Sequence, residues 1–305
     1  MTKPLVLVTG AAGGQQGGTG RRVSEMLLAR GVAVRAFVRR IDERAEQLRA
    51  LGAEVVEGDF LDYQSVERAL RGVSTVYFAY PVQAGLLTAT AIMADAARKA
   101  GVTRLIDMVM LISSPDAPTP RMRENYLSEQ IFEWAGIGAA HVRATVFYEN
   151  VRTLTAATIA RDGAILLPWG SESTLVPLVA GEDVARVVAC ALTSPSVTPG
   201  SAYPVIGSVL ALRDIVATFE RVLGRQVRYR EIPDDAWRDG ALARGYNEHA
   251  VEHLSRLWQS IRSQPRQFDV TDTIETLGGG KPKSFEAFVR EQQAVFKPQP
   301  AAAQA

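Results

Sequence analysis

The sequence predicts an α/β fold: a doubly wound parallel sheet carrying a smaller, mostly helical C-terminal lobe. Three observations predict it. Short, wholly apolar runs alternate with helical stretches through the first half of the chain, a glycine-rich segment follows the first run at once, and the alternation loosens beyond Asn150.

The first run, Leu5-Val6-Leu7-Val8, is apolar without alternation, as a strand buried on both faces requires. Val23, Met26 and Leu27 then recur at helical spacing, so a helix is predicted over 20–31 with Gly31 as its stop. Strands over 33–38, 54–57, 75–78 and 104–112 alternate with helices over 43–51, 65–70 and 86–100, the last alanine-rich and closed by Gly101. This is the βαβ rhythm of an open parallel sheet, which binds its ligand beyond the C-terminal strand ends. Function is therefore expected in the loops after Val8, Val38, Phe78 and Ile112. Three prolines within 115–120 predict a loop, followed by a helix over 124–134 and a strand over 141–147. Beyond these come helices over 183–191, 212–223, 234–243, 248–260 and 285–293, with strands over 203–206 and 226–231. The predicted organisation is a sheet domain over 1–150, a sheet-completing and substrate-binding lobe over 151–297, and a flexible tail over 298–305.

Composition narrows the function classes. The 305 residues hold 34 Lys plus Arg against 33 Asp plus Glu, a net charge of +1, which gives no general attraction to nucleic acid or an anionic membrane. Cys190 stands alone in an apolar run and reads as a packed small hydrophobe, unable to form an intrachain disulfide. One cysteine and three histidines make no closed zinc site. His249 and His253 are four apart, but the pattern His-Ala-Val-Glu-His puts the glutamate at the wrong position for a zinc protease, and no metal is expected. With no signal-peptide pattern and no apolar stretch of 18 residues, the protein is expected to be cytoplasmic and not membrane-bound.

The segment from Val8 to Gly20 carries the sharpest signal. A pyrophosphate needs backbone N–H groups aimed at it and no side chain in the way, and glycines between a strand end and a helix start supply both. Placed in a βαβ unit, the loop predicts a Rossmann-type dinucleotide site touched by Gly10, Ala12, Gly13, Gly14, Gln16 and Gly17. The loop is longer than the usual spacing, and reads either as Gly10, Gly14 and Gly17 or with Gly20 as the glycine that lets helix and strand pack. Arg21 and Arg22 follow Gly20, so the Gly-Lys-Ser/Thr ending of a nucleotide-triphosphate loop is missing. At the end of the second strand, where an acid would accept from free ribose hydroxyls, stand Arg39 and Arg40 with Asp42 nearby. Arg39 there suits a 2′-phosphate and favours NADPH, with NADH as the alternative. Asp59 and Phe60 are placed for the adenine, and Ala79, Tyr80 and Pro81 for a close backbone approach to the cofactor. Asp62 is the expected cap of the following helix, with Ser65 as its rival.

These residues, together with Glu129 to Gly136, the strand exit Val142-Arg143-Ala144-Thr145-Val146-Phe147-Tyr148-Glu149-Asn150 and the run Val176-Pro177-Leu178-Val179-Ala180-Gly181-Glu182-Asp183-Val184, resemble the NmrA-like group of atypical short-chain dehydrogenases/reductases over almost the whole chain. The resemblance implies either an NAD(P)H-dependent reductase of quinones, dyes and similar apolar compounds, or a redox-sensing regulator that binds dinucleotide without turnover. It also implies a substrate cleft between sheet and lobe, walled by Phe147, Tyr148 and Asn150, with Trp169 as a further candidate. The chain departs from the short-chain pattern in one respect: Tyr126-Leu127-Ser128-Glu129-Gln130 places glutamine where Tyr-x-x-x-Lys needs lysine. Gln130 carries no charge to lower a tyrosine pKa. An electron-poor acceptor needs little proton help, because hydrogen-bond donors or water can meet the charge that develops on it. Candidate donors are Ser113 or Ser114, after the fifth strand, and Tyr126. The expected function is hydride transfer from NADPH to an apolar, aromatic or quinone-like acceptor, with the regulatory dinucleotide sensor as the alternative.

Overall fold

The computed structural model describes residues 4–13, 18–263 and 268–297. Gly14, Gln16 and Gly17 of the glycine loop and the 298–305 tail lie outside these residues. The first half runs β1 (Leu5–Thr9), α1 (Thr19–Ala29), β2 (Ala33–Val38), α2 (Glu43–Ala50), β3 (Glu54–Glu57), α3 (Tyr63–Ala69), β4 (Val73–Phe78), α4 (Leu86–Ala100), β5 (Arg104–Met110), α5 (Pro120–Ala135) and β6 (Ala139–Ala144). The second half continues β7 (Val146–Phe147), α6 (Tyr148–Asp162), β8 (Ala164–Leu167), β9 (Leu175–Val179), α7 (Gly181–Thr193), β10 (Ala202–Val205), β11 (Ser208–Ala211), α8 (Leu212–Leu223), β12 (Arg228–Glu231), α9 (Asp234–Ala243), α10 (Glu248–Ser263), α11 (Thr273–Thr276), α12 (Phe285–Glu291) and a 3₁₀ turn (Gln293–Phe296).

Seven strands form one sheet in the order β10-β6-β5-β4-β1-β2-β3, every neighbouring pair parallel. The chain reverses its direction of travel across the sheet between β1 and β4, and this switch point opens a crevice at the carboxyl ends of the strands. Burial on both faces explains the continuous apolar runs. In β1, Val6 and Val8 pack with α1, α2 and α7, while Leu7 packs with α3, α4 and α5 on the opposite face. The part of the chain beyond residue 150 therefore divides: α7, β10 and α11 complete the Rossmann layer, and the rest builds the lobe around its own core of Tyr148, Trp169, Phe219, Trp258 and Phe288.

Two features of the lobe differ from the sequence expectation. Helix α6 spans the 150/151 boundary, so the two regions are joined through a helix. Its segment Thr153-Leu154-Thr155-Ala156-Ala157-Thr158 is rich in threonine, a weak helix former, and tertiary packing of Val151, Thr155 and Ile159 overrides that propensity. The lobe also carries two small sheets, β11-β9-β7 and β12-β8; β12 and β7 fall within the strands expected over 226–231 and 141–147, whereas β8, β9 and β11, of four or five residues, are too short to show a period. No helix among the described residues is long and apolar enough to cross a membrane.

Gly20 fixes how α1 meets the sheet. A Cβ there would lie 2.4 Å from the Thr9 carbonyl oxygen and 2.6 Å from that of Gly10, both rigid backbone. Gly20 is thus the helix-packing glycine, and Gly10, at φ +61°, opens the turn that brings the chain round. Replacing Gly20 by alanine should push α1 off β1 at a cost of about 1–3 kcal/mol, read as a lower thermal midpoint. An unchanged midpoint would show that the helix can shift freely and that the contact does not constrain it.

Candidate cofactor and substrate site

A single cavity of about 1170 Å³ runs along the carboxyl edge of the sheet and under the lobe. Of the sequence-predicted cofactor residues that the structure describes, Gly10, Ala12, Gly13, Arg39, Asp59, Phe60, Ala79, Tyr80 and Pro81 all line it. At one end, Gly10 and Gly13 form a turn closed by a 3.0 Å hydrogen bond from the Gly13 N–H to the Gly10 carbonyl, and Gly18 takes φ +58° before α1 begins. The first turn of α1 presents its unbonded N–H groups and positive dipole end to this loop, the arrangement that holds a pyrophosphate. Gly58 contributes by absence of bulk, since a Cβ there would strike the Phe37 ring at 2.5 Å.

The arginine cluster lies beside that loop. Arg39 and Arg40 are exposed on the cavity wall, and no hydrogen bond or ion pair to another described side chain engages either. Asp42 is not a competitor for the ribose: it caps α2, accepting from the N–H groups of Arg44 and Ala45, and pairs with the Arg44 guanidinium at 2.6 Å. The Arg44 guanidinium beside it holds the Asp42 carboxyl below the usual carboxylate range, against the opposing effect of burial. Arg39 and Arg40 thus stand on the wall as uncommitted cations, with the Asp42 carboxylate already engaged by Arg44. Asp62 caps α3 through Gln64, and Ser65 instead ties the turn together by donating to the carbonyls of Asp59 and Asp62. Phe60 sits among Phe37, Phe78 and Tyr80, with ring centroids 5.3–5.6 Å away.

The opposite end belongs to α5, α6 and α10. Phe147 and Asn150 line the cavity, as the resemblance implied. Tyr148 does not: its ring packs against Phe285 and Phe288 in the lobe core, and its hydroxyl pairs with Ser208 at 3.0 Å and the Lys283 carbonyl at 3.2 Å. Burial pushes its hydroxyl up to about 12. Trp169 is likewise buried in that core against Trp258, centroids 4.8 Å apart. Ser113 is buried and the cavity wall ends one residue before it, at Ile112. Tyr126 is half-buried on α5 outside the cavity, whose wall takes Arg121, Met122 and Asn125 from that helix. One residue turns a helix by about 100°, which is what separates Asn125 from Tyr126. Neither Ser113 nor Tyr126 is thus brought to the cavity with the other candidates.

Three lining groups escaped the sequence reading. Helix α5 starts at Pro120, capped by the Thr119 hydroxyl on the Met122 N–H, four residues before the expected start at Glu124 and on the last proline of the expected loop. A threonine followed by proline is itself a helix-start signal. Arg121, in the first turn of α5, donates to the carbonyls of Tyr80 at 2.9 Å, Pro81 at 3.0 Å and Gln83 at 3.3 Å, and so clamps the loop after β4 against the cavity. Burial lowers its pKa to about 10, leaving it a cation at neutral pH. Asn125 accepts from the Met110 N–H at the end of β5. His253 lies on the apolar face of α10 among Ala250, Val251 and Leu254, buried, while His249 one turn away is exposed. A histidine placed on that apolar stripe was the available signal. The two parts of the molecule are locked by Glu149, whose carboxylate accepts from Arg22 of α1 at 2.6 Å and from the Gly181 N–H at the start of α7 at 3.0 Å.

Sequence comparison agrees with this geometry. The NmrA-like family profile matches residues 2–285. The chain belongs to the NmrA-like family. Within and around it, the chain is 32% identical over 302 residues, covering 97% of this chain and 100% of the relative, to a (4-alkanoyl-5-oxo-2,5-dihydrofuran-3-yl)methyl phosphate reductase of Streptomyces griseus. It is 25% identical over 293 residues, 96% of this chain and 99% of the relative, to an NAD(P)H azoreductase of Xenophilus azovorans. Its fold superposes on an NADPH-dependent quinone oxidoreductase of Escherichia coli, solved with NADPH, at a TM-score of 0.80 with 21% identity, covering 95% of this chain and 99% of that one.

The buried histidine makes stability depend on pH. Burial, and after it the Arg121 charge, push the His253 pKa down to about 3. The unfolded chain protonates the same ring near pH ~6.5, so the folded state keeps its full stability above that value and loses it as pH falls from there toward 3. His253→Gln should lose less stability than the wild-type between pH 7 and pH 5, measured by urea midpoints. Equal falls in the two proteins would mean that His253 titrates normally in the folded state.

Proposed function

We propose that the protein is an NADPH-dependent reductase that passes a hydride to a conjugated, apolar acceptor of the quinone or aromatic class. The observation that carries this reading is the continuity of the cavity, which joins a dinucleotide cradle at Gly10–Gly13 and Gly18–Gly20 to an apolar chamber under the lobe. Names of relatives support the chemistry: two act as reductases on conjugated compounds and one superposed structure on quinones.

The residues present fit the cofactor. The glycine turn and the first turn of α1 would hold the pyrophosphate, Arg39 and Arg40 the 2′-phosphate, and Asp59 with Phe60 the adenine side. Bound there, the dinucleotide supplies two electrons and a hydrogen as hydride. Arg121 fixes the loop Tyr80-Pro81 that borders it, and Ala79, held by a 2.9 Å hydrogen bond from its N–H to Thr9 Oγ1, keeps that border free of bulk. Phe147, Met122, Leu254 and Ile261 close the chamber with apolar surface, which excludes water and orders a flat acceptor against the transfer face. With no lysine lining the chamber among the described residues to tune a general base, the arrangement favours reduction over alcohol oxidation.

Purified protein should oxidise NADPH, followed at its 340 nm absorbance, only when an acceptor such as 1,4-naphthoquinone is added. Saturable NADPH binding without turnover across quinones, azo compounds and unsaturated lactones would instead support the regulatory sensor. Arg39→Ala should raise the KM for NADPH about 10- to 100-fold, the loss of one charge-assisted hydrogen bond, and leave that for NADH nearly unchanged. Equal losses for both would remove Arg39 from the 2′-phosphate site.

A further inference from the structure

Two polar side chains face the substrate side of the cavity with one end already committed to the protein. His253 is 5% exposed, and its Nδ1 lies 3.0 Å from Thr119 Oγ1. Thr119 is fully buried and its oxygen accepts from the Met122 N–H at 3.1 Å. Its hydroxyl hydrogen has no other acceptor among the described residues, so it is donated to Nδ1. With Nδ1 accepting, the neutral ring carries its proton on Nε2, and Nε2 has no partner among the described residues while the ring lines the cavity. Asn125 repeats the logic. It is 4% exposed, its Oδ1 accepts from the Met110 N–H at 3.3 Å, and its amide hydrogens are left to the cavity wall.

The charges on the cavity wall near these donors are positive: Arg244, and Arg121, which pairs at 3.9 Å with Glu124 outside the wall; the one acid on the wall among the described residues, Asp59, follows β3 at the opposite edge of the sheet. Donors at a cavity wall that no protein group engages are open to an acceptor that a ligand supplies. A chamber that offers donors and positive potential, and no carboxylate, selects against cationic molecules and for an oxygen that gains negative charge.

We propose that this end of the cavity is an oxygen-recognition site, in which the Nε2–H of His253 and the amide N–H of Asn125 donate hydrogen bonds to a carbonyl oxygen of a neutral or anionic quinone or enone. The proposal rests on the reductase reading. As the hydride of NADPH adds to the conjugate carbon, the π electrons move to the carbonyl oxygen, NADPH becomes NADP⁺, and the oxygen takes its proton from water. His253, held neutral by burial and the Arg121 charge, stabilises that oxygen by hydrogen bonding and transfers no proton itself.

The test uses the whole protein saturated with NADP⁺, which cannot reduce the acceptor. Nitrogen-15 spectra of the three histidines should show His253 as the neutral Nε2–H tautomer, and its signal should move on titration with 1,4-naphthoquinone. An Nδ1–H tautomer, or a signal unmoved at saturating quinone, overturns the proposal. In turnover with NADPH, His253→Leu should lower kcat/KM for naphthoquinone about 10- to 100-fold with the KM for NADPH unchanged. His253→Gln, whose amide N–H reaches the Nε2 position, should restore most of the loss. Wild-type rates in His253→Leu overturn the proposal even if the reductase reading stands. A histidine signal that responds to quinone in a protein that never consumes NADPH keeps the oxygen site and removes the reductase.

Discussion

The site depends on one backbone contact, the approach of α1 to the carboxyl end of β1. A Cβ at Gly20 would stand 2.4 Å from a β1 carbonyl, so the helix reaches its place only because that position carries no side chain. Everything downstream uses this placement. The helix dipole and its unbonded N–H groups point into the crevice at the switch point of the sheet, and β2, directly beside β1, delivers Arg39 and Arg40 to the same crevice. On the other side of β1, strand β4 delivers Ala79 and Tyr80. Glu149, at the start of α6, then ties the lobe to α1 through Arg22.

The lobe contributes selection where the sheet contributes binding. Its helices bring mostly apolar surface, and the polar groups that do face the cavity are held by their opposite ends: Asn125 by the backbone of β5, His253 by the cap of α5. Thr119 therefore has two functions, starting a helix and setting a tautomer, and Arg121 in the first turn clamps the loop after β4 and adds its charge to the burial that keeps the ring neutral. Groups fixed in this way need no reorganisation when charge develops on a bound oxygen.

The Rossmann half was legible because its signals are local. Continuous apolar runs mark strands buried on two faces, and the glycine loop, Arg39, Asp59 and Ala79 each follow a strand end directly, so their convergence follows from topology alone. The substrate side was less legible. Its walls come from α5, α6 and α10, segments distant in sequence, and which face of each helix meets the cavity is set by packing. Tyr126 and Asn125 are neighbours in the chain, yet only Asn125 lies on the wall. Tyr148 looked like a wall residue beside Phe147, but α6 starts there and rotates it into the lobe core. The start of α5 was readable from Thr119-Pro120 and was obscured by the other prolines of the segment.

If the arginine-flanked glycine cradle holds a phosphorylated dinucleotide, calorimetric titration of the wild-type protein with NADPH and NADH will distinguish the two cofactors. One site per chain is expected, with NADPH bound tighter than NADH by about 10-fold or more, the worth of at least one charge-assisted hydrogen bond to the 2′-phosphate. Equal affinity for the two cofactors, or no binding of either, would contradict it.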